Sequence, residues 1–437
     1  MKVISPANAT VMQMLKNFRK PGTSYRKLKY LVDTEVDDGI LLLNMFTREL
    51  VLLSKEEYEN AAENEYLRQN WFVVPEECDE KAYVDLVKSF LRSRKPILKE
   101  ITGYTIFTTT DCNARCFYCF EAGRSRIPMS KETAQEVVGY ILNHCNGKKV
   151  SIRWFGGEPL MNQDAINIIS QGLQDAGIEY KSSMVTNGYL FDDNTVNMAV
   201  NLWNLEKVQI TLDGTEEIYN KIKAFVYPDG NPFEIVLNNI QRVLDAGIHL
   251  SIRLNMDLYN ADDLLQLTKA LCARFAEYEN LAIYAHHLFD TNKSNAELHS
   301  EQEWAKRNVA MAHIEAVINQ YNLSRGSRIS PKFKINNCMA DSGHSVTILP
   351  DGHIGLCEHH SDGEFIGHIE SNQFDLDMVK SFSEPVPEIP ECASCFNYPD
   401  CLMLKRCSTS NQCYPQHISR VHKQVERAMK YTYQKTI

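Results

Sequence analysis

Between residues 101 and 325 the chain repeats one pattern six times: an apolar run rich in β-branched residues, a loop, then an amphipathic helical stretch. The runs are Ile101 to Thr109, Val150 to Trp154, Tyr180 to Val185, Lys207 to Leu212, His249 to Met256 and Leu281 to Leu288. Helical patterns follow near Lys131 to His144, Asp164 to Asp175, Asp193 to Trp203, Phe233 to Ala246, Asp262 to Tyr278 and Glu301 to Gln320. Strands that alternate with helices pair in parallel, so an α/β fold is expected. Six units rather than eight imply a barrel left open. In such sheets the chemistry gathers at the carboxyl ends of the strands.

The loop after the first run, Thr110-Asp111-Cys112-Asn113-Ala114-Arg115-Cys116-Phe117-Tyr118-Cys119-Phe120, carries three thiols in a C-x3-C-x2-C window. A [4Fe-4S] cluster takes four ligands, so one iron would remain open to a group that is not protein. Zinc with a remote fourth ligand, or plain buried thiols, are the alternatives from these residues alone. One strand later comes Phe155-Gly156-Gly157-Glu158-Pro159, a turn sequence at the next carboxyl end.

The two loops together resemble the radical S-adenosylmethionine (SAM) enzymes, whose signature is C-x3-C-x-aromatic-C with a GGEP motif one strand on. The resemblance implies a partial (β/α)6 TIM-like barrel over residues 96–325. It also implies a SAM-binding [4Fe-4S] cluster on Cys112, Cys116 and Cys119, with Tyr118 in the aromatic slot, and places Gly156, Gly157, Glu158 and Pro159 along the SAM methionine. Thr211-Leu212-Asp213-Gly214 resembles the family's S-x-D-G element, making Thr211 a contact for SAM ribose or carboxylate. Ten residues beyond Asp213, where near relatives place arginine, this chain has Lys223, a point charge in place of a bidentate fork. Leu288 matches a residue that packs on adenine, and Thr186 and Asn187 match the loop closing the third strand; core or turn roles are the alternatives for these.

A net charge of -10 speaks against a phosphate-backbone partner, because nucleic-acid binders concentrate Lys and Arg on one face. No signal peptide is recognised, and no apolar run reaches the 18 or so residues that span a bilayer, so the expected place is cytoplasmic with no membrane partner. Thirteen cysteines in a long cytosolic chain point to metal or redox chemistry rather than disulfides.

Cys338, Cys357, Cys392, Cys395, Cys401, Cys407 and Cys413 crowd the C-terminal quarter. Their spacing resembles the SPASM extension of many radical SAM enzymes, expected over residues 326–437, which houses two auxiliary [4Fe-4S] clusters and brings the total to three. By the family pattern Cys392, Cys395, Cys401 and Cys413 hold the distal cluster, and Cys338, Cys357 and Cys407 the proximal one. The five-residue gap from Cys401 to Cys407 departs from the usual three. Asp341, His344 or a substrate thiolate is left to complete the proximal set. Two zinc sites are the alternative reading, and Cys78, Cys145 and Cys272 read as buried structural thiols.

Residues 1–95 read as strands Lys27 to Asp33, Gly39 to Met45 and Leu50 to Leu53, followed by helices near Lys55 to Glu65 and Glu80 to Arg94. That order resembles the winged-helix-like recognition element of maturases of ribosomally made peptides (RiPPs), which captures a leader peptide by adding a strand. A DNA reader would not carry Glu35, Asp37, Asp38, Glu56, Glu57 and Glu59 there.

The resemblance therefore implies a peptide-modifying radical SAM oxidoreductase. An external donor such as flavodoxin or ferredoxin reduces the cluster, SAM is cleaved to a 5'-deoxyadenosyl radical, and that radical abstracts hydrogen from a precursor peptide. A thioether, ether or carbon-carbon crosslink follows. Glu358 matches the place of a catalytic Asp in a related sulfatase-maturing enzyme and is the candidate base; a solvated or salt-bridged carboxylate is the alternative. A sulfatase-type or quinone-cofactor maturase, a peptide epimerase and a non-catalytic iron-sulfur sensor or scaffold are the competing functions.

Overall fold

The structure is a computed structural model, and it describes residues 1–18, 22–95, 97–288, 301–324, 326–360, 363–371, 373–407, 411, 413 and 415–436. The chain forms two compact units, and both are discontinuous in sequence.

The first unit joins residues 1–95 to 326–338 and 384–437. Its four-stranded antiparallel sheet runs β1 (Lys2–Ser5), β5 (Leu50–Leu53), β4 (Gly39–Asn44), β3 (Leu31–Val36), with β2 (Tyr25–Lys27) and β6 (Val73–Pro75) paired separately. The expected strand from Lys27 to Asp33 is two strands, because the chain breaks at Leu28–Tyr30 to send the Leu28 and Lys29 amides to Phe72 O and the Glu80 carboxylate. The expected helix from Lys55 to Glu65 is also broken. Ser54 and Glu57 form a reciprocal cap at its start, but Asn60 and Asn64 interrupt it, so helices Lys55–Glu59 and Glu65–Gln69 flank a 3-10 turn. Leu41, Leu43, Phe46 and Tyr30 share one core with Phe333, Tyr398 and Met429, the last on helix Pro415–Gln434.

The second unit joins residues 96–325 to 339–383. Six parallel strands, β7 (Gly103–Thr109), β8 (Val150–Gly156), β9 (Tyr180–Thr186), β10 (Leu205–Leu212), β11 (His249–Met256) and β12 (Leu281–His287), lie in sequence order as the alternation requires. Helices follow each strand, capped where the sequence places Ser130, Asn162, Asp192 and Asn231. On β10, Val208, Ile210 and Leu212 are buried while Gln209 and Thr211 stay partly exposed, so this strand has one covered apolar face and one more open face. Beyond β7 the sheet continues with β13 (Ser345–Ile348), β14 (His353–Gly355) and β15 (Gly367–His368), the first of these parallel to β7. The expected six-stranded open sheet is thus present, widened by strands from the cysteine-rich segment.

Candidate functional site

Four carboxyl ends meet around the thiol loop. At the end of β7 the ladder with β8 slips between Phe107 and Thr109, which releases the chain from the sheet. The loop it enters is closed at its base: Thr110 N–H donates to Ile127 O at 3.0 Å and Ile127 N–H to the Thr110 hydroxyl at 2.8 Å. Inside, Asp111 caps the Cys112 amide at 2.8 Å, and the Ala114 amide donates to Cys112 Sγ at 3.3 Å. Two bonds tether the loop to the segment after β10, Arg115 N–H to Lys223 O and Val226 N–H to Asn113 O, both 2.8 Å.

The turn after β8 packs directly on this loop. Gly157 donates to Thr109 O at 3.0 Å and Glu158 N–H to Asp111 O at 2.8 Å. A Cβ on Gly157 would stand 2.2 Å from Asp111 O, so glycine is required by the approach of two backbones. Glu158 is fully buried, and its carboxylate accepts from the Thr186 hydroxyl (2.7 Å), the Asn187 amide (2.8 Å) and the Leu160 amide (3.1 Å). Burial drives its pKa up, against the pull of those donors. Glu158 is therefore a tie between strand ends, its oxygens occupied within the fold. Asn187 passes the tie on, donating to Asn113 Oδ1 at 2.7 Å beside Cys112 Sγ at 3.9 Å.

Behind the loop lies a buried ion pair. Lys223 Nζ is 3.0 Å from Asp213 Oδ2, with the two side chains 4% and 1% exposed. The Tyr118 hydroxyl donates to Asp213 Oδ1 at 2.8 Å and accepts from Lys223 Nζ at 3.2 Å, and Asn255 also donates to Asp213 at 3.2 Å. Desolvation, the largest single effect, lowers the Lys223 pKa, but the Asp213 charge together with Tyr118, Cys116 and Tyr219 outweighs it, so the pKa is raised and the ammonium persists. Lys223 is thus committed to Asp213 and Tyr118. Asp213 and Asn255, the hubs of this network, were not singled out as site residues by spacing, although Asp213 sits within the quoted Thr211–Gly214 element.

The other expected residues fall as follows. Thr211 is half-buried at the end of β10, and Leu288 follows β12, its N–H bonded to Met256 O at 2.9 Å. Pro159 is buried and starts the 3-10 turn Pro159–Asn162. Glu358 opens the turn Glu358–His360, whose His359 ring lies 4.8 Å from Phe120 of the thiol loop. Sequence spacing gave no hint of that ring contact.

The thiols of the first loop act on one another electrostatically. Burial, then the Glu158 charge, pushes Cys112 up to about 12, with Cys116 and Cys119 adding to the rise. In the first unit burial, then Cys401, Cys395 and Cys392, raises the pKa of Cys413. Cys338 and Cys407 belong to the same unit, whereas Cys357, Asp341 and His344 belong to the other. Cys145 and Cys272 are fully buried in apolar core, and Cys78 is half-buried. Among the described residues no group of three or more His, Cys, Asp or Glu side chains is already drawn into a metal-holding arrangement. Protonated thiols have no cause to converge until a metal replaces their protons. The donor chemistry fits iron-sulfur ligation, and the buried Asn113 Nδ2 and Asn255 Oδ1, both without a partner, fit a polar cofactor beside it.

Residues 106–271 match the model of the radical SAM superfamily. Over that stretch the chain carries a radical SAM domain. It is 31% identical over 155 residues to a probable GTP 3',8-cyclase of Methanocaldococcus jannaschii, covering 34% of this chain and 48% of that protein. To the GTP 3',8-cyclase of Rhodopirellula baltica it is 30% identical over 156 residues, covering 34% and 40%. The chain therefore spans about half, or less, of the length of these curated relatives. Among solved structures, Streptococcus suis SuiB bound to precursor peptide SuiA superposes with a TM-score of 0.53 at 13% identity, covering 87% of this chain and 95% of that one. Native anSMEcpe with bound AdoMet gives 0.55 at 15% identity, covering 76% and 98%. These two share its fold. Among the described residues no helix is long and apolar enough to cross a membrane.

Proposed function

We propose that the chain is a radical SAM peptide maturase that installs an intramolecular crosslink on a leader-bearing precursor. The observation that carries the reading is the thiol loop itself: three cysteines on one loop, tied by Glu158, Asn187 and Lys223 to three neighbouring strand ends. On this reading Cys112, Cys116 and Cys119 hold a [4Fe-4S] cluster whose open iron takes SAM. When bound, that pair supplies a one-electron reductive cleavage that yields a 5'-deoxyadenosyl radical. The chain's own residues fix the geometry. Gly156 to Pro159 shape the wall beside the loop, Thr211 and Leu288 line strand ends for ribose and adenine, and Lys223 braces Asp213 and Tyr118 instead of reaching for a carboxylate of the ligand. Glu358 serves as base.

In the proposed architecture residues 1–95 are the leader-recognition element, 96–325 the barrel and 326–437 a SPASM extension. Cys392, Cys395, Cys401 and Cys413 hold one auxiliary cluster; Cys338, Cys357 and Cys407 hold another, completed by Asp341, His344 or a substrate group. The antiparallel sheet of the first unit and the likeness of the fold to SuiB, crystallised with a precursor peptide, support a peptide substrate. Electrons come from a flavodoxin- or ferredoxin-type donor.

The names of the sequence relatives favour a second reading, a nucleotide cyclase. One experiment separates the two. Anaerobically reconstituted protein is given SAM, reductant and either GTP or the precursor encoded beside the gene. Iron near twelve per chain, 5'-deoxyadenosine and a peptide lighter by two hydrogens are expected of the maturase, with three clusters loaded. Consumption of GTP with an unchanged peptide would transfer the assignment to the cyclase reading, and absence of deoxyadenosine would remove both.

A further inference from the structure

Helix Glu80–Ser93 carries a lysine where its spacing calls for an apolar residue. Glu80, Val84, Val87 and Lys88 form its buried face, and Lys88 is 7% exposed. Glu80 is matched, with Arg26 at 2.6 Å. The two acids whose charge reaches Lys88 are matched to other cations, Asp85 to Lys81 and Asp400 to Arg48, both at 2.7 Å. Among the described residues Lys88 has no carboxylate of its own.

The ammonium is aimed at the cysteine turns instead. Lys88 Nζ donates to Tyr398 O and, at 3.4 Å, to Cys401 O, and stands 4.3 Å from the centroid of the Tyr398 ring. Cys401 ends the 3-10 turn Tyr398–Asp400, which follows the turn Pro390–Ser394 that carries Cys392. Backbone bonds chain the two turns: Cys395 N–H to Cys392 O at 3.2 Å, Tyr398 N–H to Cys395 O at 2.9 Å and Cys401 N–H to Tyr398 O at 3.3 Å. Of the charges that act on Lys88, that of Cys401 is the largest. A buried cation without an acid is costly alone and is relieved by an anion. Thiolates gathered on a metal supply that anion where protonated thiols do not.

We propose that Lys88 is a positioning residue of the distal auxiliary site, a buried positive charge that fixes the turn before Cys401 and favours the reduced form of the cluster. The role rests on the reading that Cys392, Cys395, Cys401 and Cys413 hold a [4Fe-4S] cluster. Reduction adds one electron from an external donor to a group already negative through its thiolates, and no proton or bond moves. A fixed positive charge beside it stabilises the reduced form more than the oxidised one, which raises the potential. The charge is supplied by residues 1–95, so the segment proposed for leader recognition also sets the electron affinity of the site.

Wild-type holoprotein, Lys88→Gln, Lys88→Met and Lys88→Arg are titrated with reductant and mediators near neutral pH, each cluster followed by electron paramagnetic resonance, with iron content and melting curves as controls. The couple that vanishes in Cys395→Ser belongs to the distal site. Lys88→Gln keeps a donor for the carbonyls without the charge. In it the reduced-to-oxidised ratio of the distal couple at a fixed potential should fall roughly tenfold, or about 59 mV for one electron, while Lys88→Arg stays near wild type and the other couples do not move. An unshifted distal couple in Lys88→Gln and Lys88→Met, or an equal shift of every couple, overturns the role. Should neither charge-free variant retain iron at the distal site, the apoproteins decide. Melting like the wild-type apoprotein, with iron retained by Lys88→Arg, supports a charge that the cluster needs. A lower melting temperature, or loss of iron in Lys88→Arg as well, shows a packing role and overturns the proposal. If Cys395→Ser removes neither iron nor a couple, the cluster assignment falls and the role of Lys88 with it, whereas the other failures leave that assignment standing.

Discussion

Glu158 and Lys223 show how single buried charges are put to structural use beside the thiol loop. Replacing Glu158 by Gln puts an amide donor among three donors and one acceptor short; a loss of about 2 kcal/mol is expected, read as a lower melting temperature together with weaker iron retention by Cys112. Lys223→Met leaves Asp213 charged and buried, at a cost of roughly 3–5 kcal/mol, whereas Lys223→Met with Asp213→Asn recovers much of it. If Lys223 instead held a ligand carboxylate, the double variant would regain stability no better than the single one. His417 sets a pH dependence in the first unit. Burial, then the Arg420 charge, lowers its pKa from 6.5 to about 4. The unfolded chain thus binds the extra proton between these values, so stability is full above pH 6.5 and declines as pH falls towards 4. His417→Gln should flatten that part of a melting-temperature profile.

At the level of elements, the thiol loop and the Gly156–Pro159 turn behave as one piece, because backbone bonds from Gly157 and Glu158 join them. Gly157→Ala forces a Cβ to 2.2 Å from Asp111 O, so iron bound by Cys112, Cys116 and Cys119 should fall well below that of wild type in a quantitative iron assay, with the C-terminal thiols loaded as before. The six parallel strands were legible in sequence because each is a run of seven or eight residues carrying apolar positions, with a helix behind it. Strands β13, β14 and β15, of four, three and two residues, offer no periodicity to read. Helix Glu216–Lys223 escaped for a similar reason, since only Tyr219, Ile222 and Lys223 of its eight residues are buried. Helix Pro415–Gln434 did carry a signal, with Ile418, Val421, Val425, Met429 and Tyr433 at helical spacing. Of the site, the strand-end motifs were readable. The Asp213, Lys223 and Tyr118 network was not, since it joins three segments that only the fold brings together.

Across the whole molecule, the candidate peptide-recognition sheet and the distal thiol set occupy a single compact unit. The connections are specific. Arg48 pairs with Asp400 at 2.7 Å with little exposure, the Tyr30 and Tyr398 rings stack at 6.0 Å, and Lys88 Nζ, buried, reaches the carbonyls of Tyr398 and Cys401. Cys392 and Cys395 pack against the same core as Leu41 and Leu43 of β4. Metal held by Cys392, Cys395, Cys401 and Cys413 should therefore stabilise β3, β4 and β5. Stripping it with a chelator, or changing Cys395 to Ser, should speed amide hydrogen exchange across residues 31–53; protection equal to that of loaded wild type would show the sheet and the thiol set to be independent.

The sharing of one core by chain segments so far apart sets an order on the ribosome. The Tyr433 hydroxyl bonds to Asp38 across 395 positions, and Met429 fills the core beside β4. At a synthesis rate of about 5–20 residues per second, the N-terminal sheet waits on the order of 20–80 s for the helix that covers it. During that interval β8 to β12, whose partners are all neighbours in sequence, can already pair with one another and with β7. The N-terminal apolar surface of Leu41, Leu43 and Tyr30 is then a natural client for chaperones until helix Pro415–Gln434 has been made.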